Sequence, residues 1–158
     1  MSNAARVQQG PFDPGAELNA FSARNPKSGG VAVFVGQMRD FTTGGVISEM
    51  TLEHYPGMAE RQLADVIAEA RRRWTLDDVF ILHRFGTLRP GEAIVFVATA
   101  SAHRAPALES CEFLIDWLKT QAPFWKLEET AEGSRWVDAR DSDKDAASRW
   151  LAPAPAAK

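Results

Sequence analysis

Five consecutive apolar residues, Val31-Ala32-Val33-Phe34-Val35, constrain the fold of this chain more than any other stretch. Three are valines, whose branched Cβ favours extended backbone. The run does not alternate with polar residues, so it predicts a strand covered on both faces. Such a strand needs a layer of structure on each side. With 158 residues, 45% hydrophobic and 25% charged, the chain supplies those layers once, as one domain with a real core.

The other elements arrange themselves around that strand. Asp13 and Pro14 predict the N-cap and first position of a helix over residues 14–23. Residues 36–45 form a polar loop at the strand's end, a common place for function. Residues 46–54 alternate, with Val46, Ser48, Met50 and Leu52 on one face and Ile47, Glu49, Thr51 and Glu53 on the other, so a half-exposed strand is expected. Tyr55-Pro56-Gly57 turns into a helix over residues 58–74, with Leu63, Ile67, Ala70 and Trp74 inward. Residues 78–84 and 93–100 read as strands separated by the turn Arg89-Pro90-Gly91-Glu92. A helix over residues 105–119 turns Leu108, Cys111, Ile115 and Leu118 inward, residues 124–129 and 135–140 pair as a hairpin around Glu132-Gly133, and residues 142–150 close with a short helix.

The order is α, β, β, α, β, β, α, β, β with mostly short connections, which predicts an α+β fold with a mixed or mainly antiparallel sheet. Residues 1–6 are expected outside the fold, as a cloning remnant or disordered start; residues 7–150 form the domain, and the Ala/Pro-rich residues 151–158 a disordered tail.

Composition removes several classes of function. A net charge of −3 argues against a general nucleic-acid binder. No apolar run reaches the ~18 residues of a membrane span and no signal peptide opens the chain, so a cytoplasmic protein is expected. The lone cysteine, Cys111, allows no internal disulfide, fits a reducing compartment and falls on an apolar stripe, as a packed residue would. Among His54, His83 and His103 no pair has metal-ligand spacing, so no metal site is expected, and His54 and His83 read as strand residues with ordinary partners. G-x-G-x-x-G, Walker A and G-x-S-x-G motifs are absent.

The chemistry is expected around Lys119-Thr120-Gln121-Ala122-Pro123-Phe124-Trp125-Lys126. Pro123 ends the helix near Lys119 and sends Lys126 out on the next element. A lysine in a last helical turn also simply complements the dipole. His103 and Arg104 precede a helix start, where free N–H groups and the dipole favour an anion. Arg39 follows a buried strand and Arg140 ends the last one; either is equally an ordinary surface ion pair. If the fold gathers these cations, they make a pocket for an anionic small molecule, in which a crowded lysine acts as base or nucleophile.

Several segments together resemble the large, catalytic subunits of molybdopterin synthase, the MoaE family. They are Val35-Gly36-Gln37-Met38-Arg39-Asp40, Leu52-Glu53-His54-Tyr55-Pro56-Gly57-Met58, His83-Arg84-Phe85-Gly86, Arg89-Pro90-Gly91-Glu92, Ser101-Ala102-His103-Arg104, Lys119-Thr120 with Ala122-Pro123-Phe124-Trp125-Lys126, and Arg135-Trp136-Val137. The resemblance implies an α/β-hammerhead fold and a sulfurtransferase without a resident cofactor. That enzyme converts cyclic pyranopterin monophosphate (precursor Z) into molybdopterin. Its sulfur arrives as the C-terminal Gly-Gly thiocarboxylate of a ubiquitin-like, MoaD-like small subunit, and two large subunits form the centre of a heterotetramer. It further implies Lys119 as the key catalytic lysine with Lys126 as its partner, Arg39, His103 and Arg104 as residues binding the pterin phosphate, and Arg140 as a weaker member. Part of each pocket is expected from the other large subunit. Gln121 stands where an arginine is expected, and Gln37-Met38 is bulkier than the family's loop. Competing readings are a non-catalytic module binding a ubiquitin-like tail or an anion, and a phosphate-ester hydrolase using His103 as base.

Overall fold

The computed structural model describes residues 4–42, 45–121, 124–137 and 141–151. Their order is β1 (Ala5–Gln8), α1 (Pro14–Ala23), β2 (Gly30–Gln37), β3 (Phe41–Thr42), β4 (Gly45–His54), α2 (Met58–Arg73), β5 (Asp78–Arg84), β6 (Gly86–Leu88), β7 (Ala93–Ser101), α3 (Arg104–Thr120), β8 (Phe124–Thr130), β9 (Gly133–Val137) and α4 (Asp141–Ser148). The fold is α+β, as the element order predicts.

One sheet has the order β1-β5-β7-β2, with β1 parallel to β5 and the other pairs antiparallel. Helices α2 and α3 cover one face, packing Leu63, Ile67, Ala70, Cys111 and Leu114 against Val79, Ile81, Val95 and Val97. Helix α1 covers the other through Phe21, which meets Phe80, Leu82, Phe96, Ala98 and Ala100. Asp13 starts α1 by accepting from the Gly15 and Ala16 N–H groups, as its position predicts.

Two-sided burial is complete on β5 and β7. On β2, the run that suggested it, Val31 and Phe34 stay exposed, because among the described residues β2 pairs only with β7 and the covering layers thin at the sheet's edge.

The second sheet has the order β3-β4-β8-β9, with β6 also pairing to β4. Its apolar face carries Ile47, Met50, Leu52 and Leu88, and Met38 from the segment after β2 packs with them. The alternation expected for β4 holds from Met50 onward and fails before it. A register shift between Ile47 and Glu49 inserts a bulge, so Ile47 joins Met50 and Leu52 inside while Val46 is 67% exposed.

Helix α3 corrects another expectation. Leu108 is 60% exposed, and the inner stripe is Ala107, Ser110, Cys111 and Leu114. Cys111 is buried and Ile115 and Leu118 pack against the core as expected, while Ala107 takes the inward place expected of Leu108. Small Ala107 and Ser110 let the helix come close enough to β7 for the Thr99 hydroxyl to donate to the Ala107 carbonyl at 2.6 Å.

The fold also begins earlier than expected. Ala5 and Arg6 belong to β1, and Arg6 pairs with Glu17 of α1. At the other end, α4 is latched onto α3 where Asp116 accepts from Trp150 Nε1 at 2.6 Å and from Arg149 at 2.8 Å. Residues 152–158 lie outside the described residues.

Candidate active site

Where the two sheets meet the end of α3 lies a cavity of about 550 Å³. Three elements build it by simple geometry. In the first sheet His83, Val95 and Gly36 are register neighbours across β5, β7 and β2, so they form one row. In the second, Met50 pairs with Glu128 and Leu52 with Lys126, and every second residue of a strand shares a face. Met50, Leu52, Phe124, Lys126 and Glu128 therefore line the same wall. The last turns of α3 close the space with Ile115, Leu118, Lys119 and Thr120.

The helix stops at Thr120, one residue beyond the expected end; the Thr120 hydroxyl donates to the Asp116 carbonyl at 2.9 Å and the Gln121 N–H to the Trp117 carbonyl at 2.8 Å. Ala122 and Pro123 lie outside the described residues.

The fold thus brings together three of the cations singled out in the sequence. Lys119 comes from a helix end, Lys126 from β8 and Arg39 from the segment after β2, and all three line one cavity. His103 and Arg104 stand apart. His103 is the N-cap of α3, Arg104 its first residue, and both are exposed. A helix of 17 residues separates its ends by roughly 24 Å, so within one chain these two cannot reach a ligand held at Lys119. Arg140 lies outside the described residues.

Two polar residues of the cavity wall receive no role in the site from the sequence, although His83 opens the segment His83-Arg84-Phe85-Gly86. Glu128 is buried although its strand looks polar and exposed. His83 sits at the end of an apolar strand, where the sequence offers only an ordinary strand histidine. Its Nδ1 lies 2.8 Å from the Arg84 carbonyl oxygen, and since a carbonyl only accepts, Nδ1 carries the proton. The ring stacks on Phe124 at 3.8 Å and 9°. Burial first, and then the charges of Lys126, Lys119 and His54, push its pKa from 6.5 down to about 4, against the Arg84 hydrogen bond, which raises it. The imidazole is therefore neutral at physiological pH.

The chemical capacity follows. Met38, Ile47, Met50 and Ile94 supply an apolar floor, and two amines and a guanidinium supply positive charge. Such a site suits an anionic small molecule with an apolar face, and the amines serve as proton donors or acceptors. Cys111 does not line it; burial, then the charge of Glu112, raises its thiol to about 11. No three His, Cys, Asp or Glu side chains among the described residues are placed to share a metal ion, and none of the described helices is long and apolar enough to cross a membrane.

Comparison with known proteins supplies the family. The family described as MoaE protein matches residues 7–121. The molybdopterin synthase catalytic subunit of Pseudomonas aeruginosa is 58% identical over 147 residues, covering 93% of this chain and 98% of the relative. Among solved structures, the molybdopterin biosynthesis MoaE protein of Burkholderia ambifaria superposes with a TM-score of 0.79 at 52% identity, over 94% of this chain and 98% of the other. A molybdopterin synthase chain from Staphylococcus aureus superposes with a TM-score of 0.77 at 29% identity, over 87% and 98%. Fold, cavity and relatives together define an enzyme subunit of molybdopterin synthesis. The chain belongs to the MoaE family, that of the molybdopterin synthase catalytic subunits.

Proposed function

We propose that this subunit converts precursor Z into molybdopterin by accepting sulfur from the C-terminal thiocarboxylate of a ubiquitin-like small subunit. The observation that carries the reading is the convergence of Lys119 and Lys126, from separate elements, on one cavity with Arg39. Sulfur has to arrive from outside the chain, because the single cysteine is packed in the core with its thiol held protonated.

The small subunit's tail, ending in Gly-Gly, enters the cavity; glycines let its backbone pass close to the walls. Lys119 assists attack of the thiocarboxylate sulfur on a carbon of the pterin side chain, from which an oxygen substituent leaves, or takes up the protons released; water then splits the acyl–sulfur bond and leaves the small subunit's tail as a carboxylate. Lys126 and Arg39 stabilise the negative charge that develops, in a site partly shielded from water. His103 and Arg104, too far along α3 to serve their own cavity, hold the pterin phosphate in the cavity of a second large subunit, and Arg140 adds to that phosphate site. The assembly is a heterotetramer with the two large subunits at its centre, working in the cytoplasm.

The test is conversion in vitro. Purified protein, precursor Z and thiocarboxylated small subunit are combined, and molybdopterin is measured by chromatography. Product that depends on both proteins is expected; none, with a small subunit that is active beside a known partner, contradicts the reading.

A further inference from the structure

His83 is a buried imidazole in the cavity wall for which the reaction above has no use. Its surroundings fix it on two sides. The Arg84 carbonyl holds the Nδ1 proton, so Nε2 carries the lone pair. Phe124 lies flat against one ring face, and His54 stacks on Phe124 in turn at 5.7 Å. Rotating the ring by half a turn would replace the Nδ1–H by the Cδ2–H and break the Arg84 bond, and moving the proton to Nε2 would put a lone pair against the carbonyl oxygen. One tautomer in one orientation is therefore built in.

The neighbours indicate what the lone pair faces. Phe124 and Lys126 are two apart on β8 and share a face, so the ring stacked on Phe124 lies beside the Lys126 side chain. Both residues and His83 line the same cavity. The charge of Lys126 acts on His83 more strongly than that of Lys119 or His54. An apolar ring would fill this place without desolvating two nitrogens. A neutral imidazole places beside Lys126 an acceptor that brings no negative charge to compete with an anionic substrate.

Resting on the sulfur-transfer reading, we propose that His83 is a positioning residue: its Nε2 accepts a hydrogen bond from the Lys126 ammonium and holds that amine toward the cavity. An ammonium has three N–H groups, so one bond to His83 leaves two for substrate or for other partners. The bond keeps Lys126 charged and in one rotamer, which suits a group that stabilises developing anions.

Two measurements on the full chain test this. The first is turnover with precursor Z and thiocarboxylated partner. His83→Phe keeps the stack and removes the acceptor; His83→Gln places an amide oxygen near the site of Nε2. The proposal expects His83→Phe to fold and bind the small subunit while kcat falls about ten- to a hundredfold, the worth of a charge-assisted hydrogen bond, and His83→Gln to recover much of the loss. Wild-type turnover by His83→Phe, or no recovery in His83→Gln, overturns it. The second needs no activity. In imidazole nitrogen NMR of the protein, Lys126→Ala is expected to shift the His83 Nε2 resonance toward that of an unbonded acceptor while the Nδ1–H tautomer persists; an unmoved Nε2 overturns the proposal. If the wild type makes no molybdopterin, the sulfur-transfer reading fails and the NMR result still decides the role of His83.

Discussion

Gly29 lies so close to Ala102 that a Cβ built on it would stand 2.1 Å from the Ala102 carbonyl oxygen. Gly30 beside it approaches the Arg104 Cα, at 3.4 Å from its own would-be Cβ. The two glycines seat the turn that carries His103 and Arg104 into α3. Gly29→Ala is expected to push that turn away and to cost about 1–3 kcal/mol, seen as a drop of several degrees in Tm. Turnover should fall further than stability accounts for, because both residues proposed to hold the phosphate move. An unchanged Tm would show that the turn yields freely.

His83 makes stability depend on pH. Its pKa is about 4 folded against 6.5 unfolded. Above pH 6.5 both states are neutral and there is no difference. Between about 6.5 and 4 the unfolded chain binds a proton that the folded one refuses, so stability falls as pH falls, by about 3 kcal/mol in all. Urea unfolding of the wild type across this range should show that loss, and His83→Phe should be flatter. Parallel profiles would place the titration elsewhere.

Cys111→Ser is expected to leave sulfur transfer near the wild-type rate and to cost about 1–2 kcal/mol, since the added hydroxyl meets a mainly apolar environment. Alkylation of the native thiol should be slow, as burial raises its pKa to about 11. A folded Cys111→Ser variant without turnover would make the thiol part of the sulfur route.

How much of this was legible in the sequence depends on how far each signal reaches. The long helices announced themselves through Leu63, Ile67 and Ala70, and β5 and β7 through their apolar runs, because burial repeats over many residues there. β1, β3 and β6 have four, two and three residues, too few to carry a period; they exist because a neighbouring strand offers them an edge. The bulge before Glu49 reverses a face without leaving a Gly or Pro as a sign. In the site, Lys119 and Arg39 were marked by their places at element ends, and Lys126 by its place just beyond Pro123. His83 and Glu128 were not, because what distinguishes them is the wall they face, and that is made by pairing strands distant in sequence.

Arg104→Ala is expected to leave Tm unchanged, as the side chain is exposed, and to weaken binding of the phosphorylated pterin about ten- to a hundredfold. Calorimetry with precursor Z reads this directly. If Arg104 serves the other subunit's cavity, mixing Arg104→Ala with Lys119→Ala at precursor Z concentrations where each alone is impaired restores turnover, since a mixed dimer keeps one cavity with both intact residues. No restoration would put both residues to work within one chain.

The most direct measurement is single-turnover conversion of precursor Z by Lys119→Ala with thiocarboxylated small subunit. A lysine whose only task is to complement a helix end contributes a few tenths to about 1 kcal/mol, so its loss would touch neither rate nor fold noticeably. The account predicts that Lys119→Ala keeps its Tm and its affinity for the small subunit and loses turnover by a factor on the order of 10²–10⁴. Lys119→Arg, which keeps the charge and stays protonated, should recover little if the amine must release a proton and much if only its charge counts. Near-normal turnover by a folded Lys119→Ala would contradict the assignment of this cavity as the catalytic site.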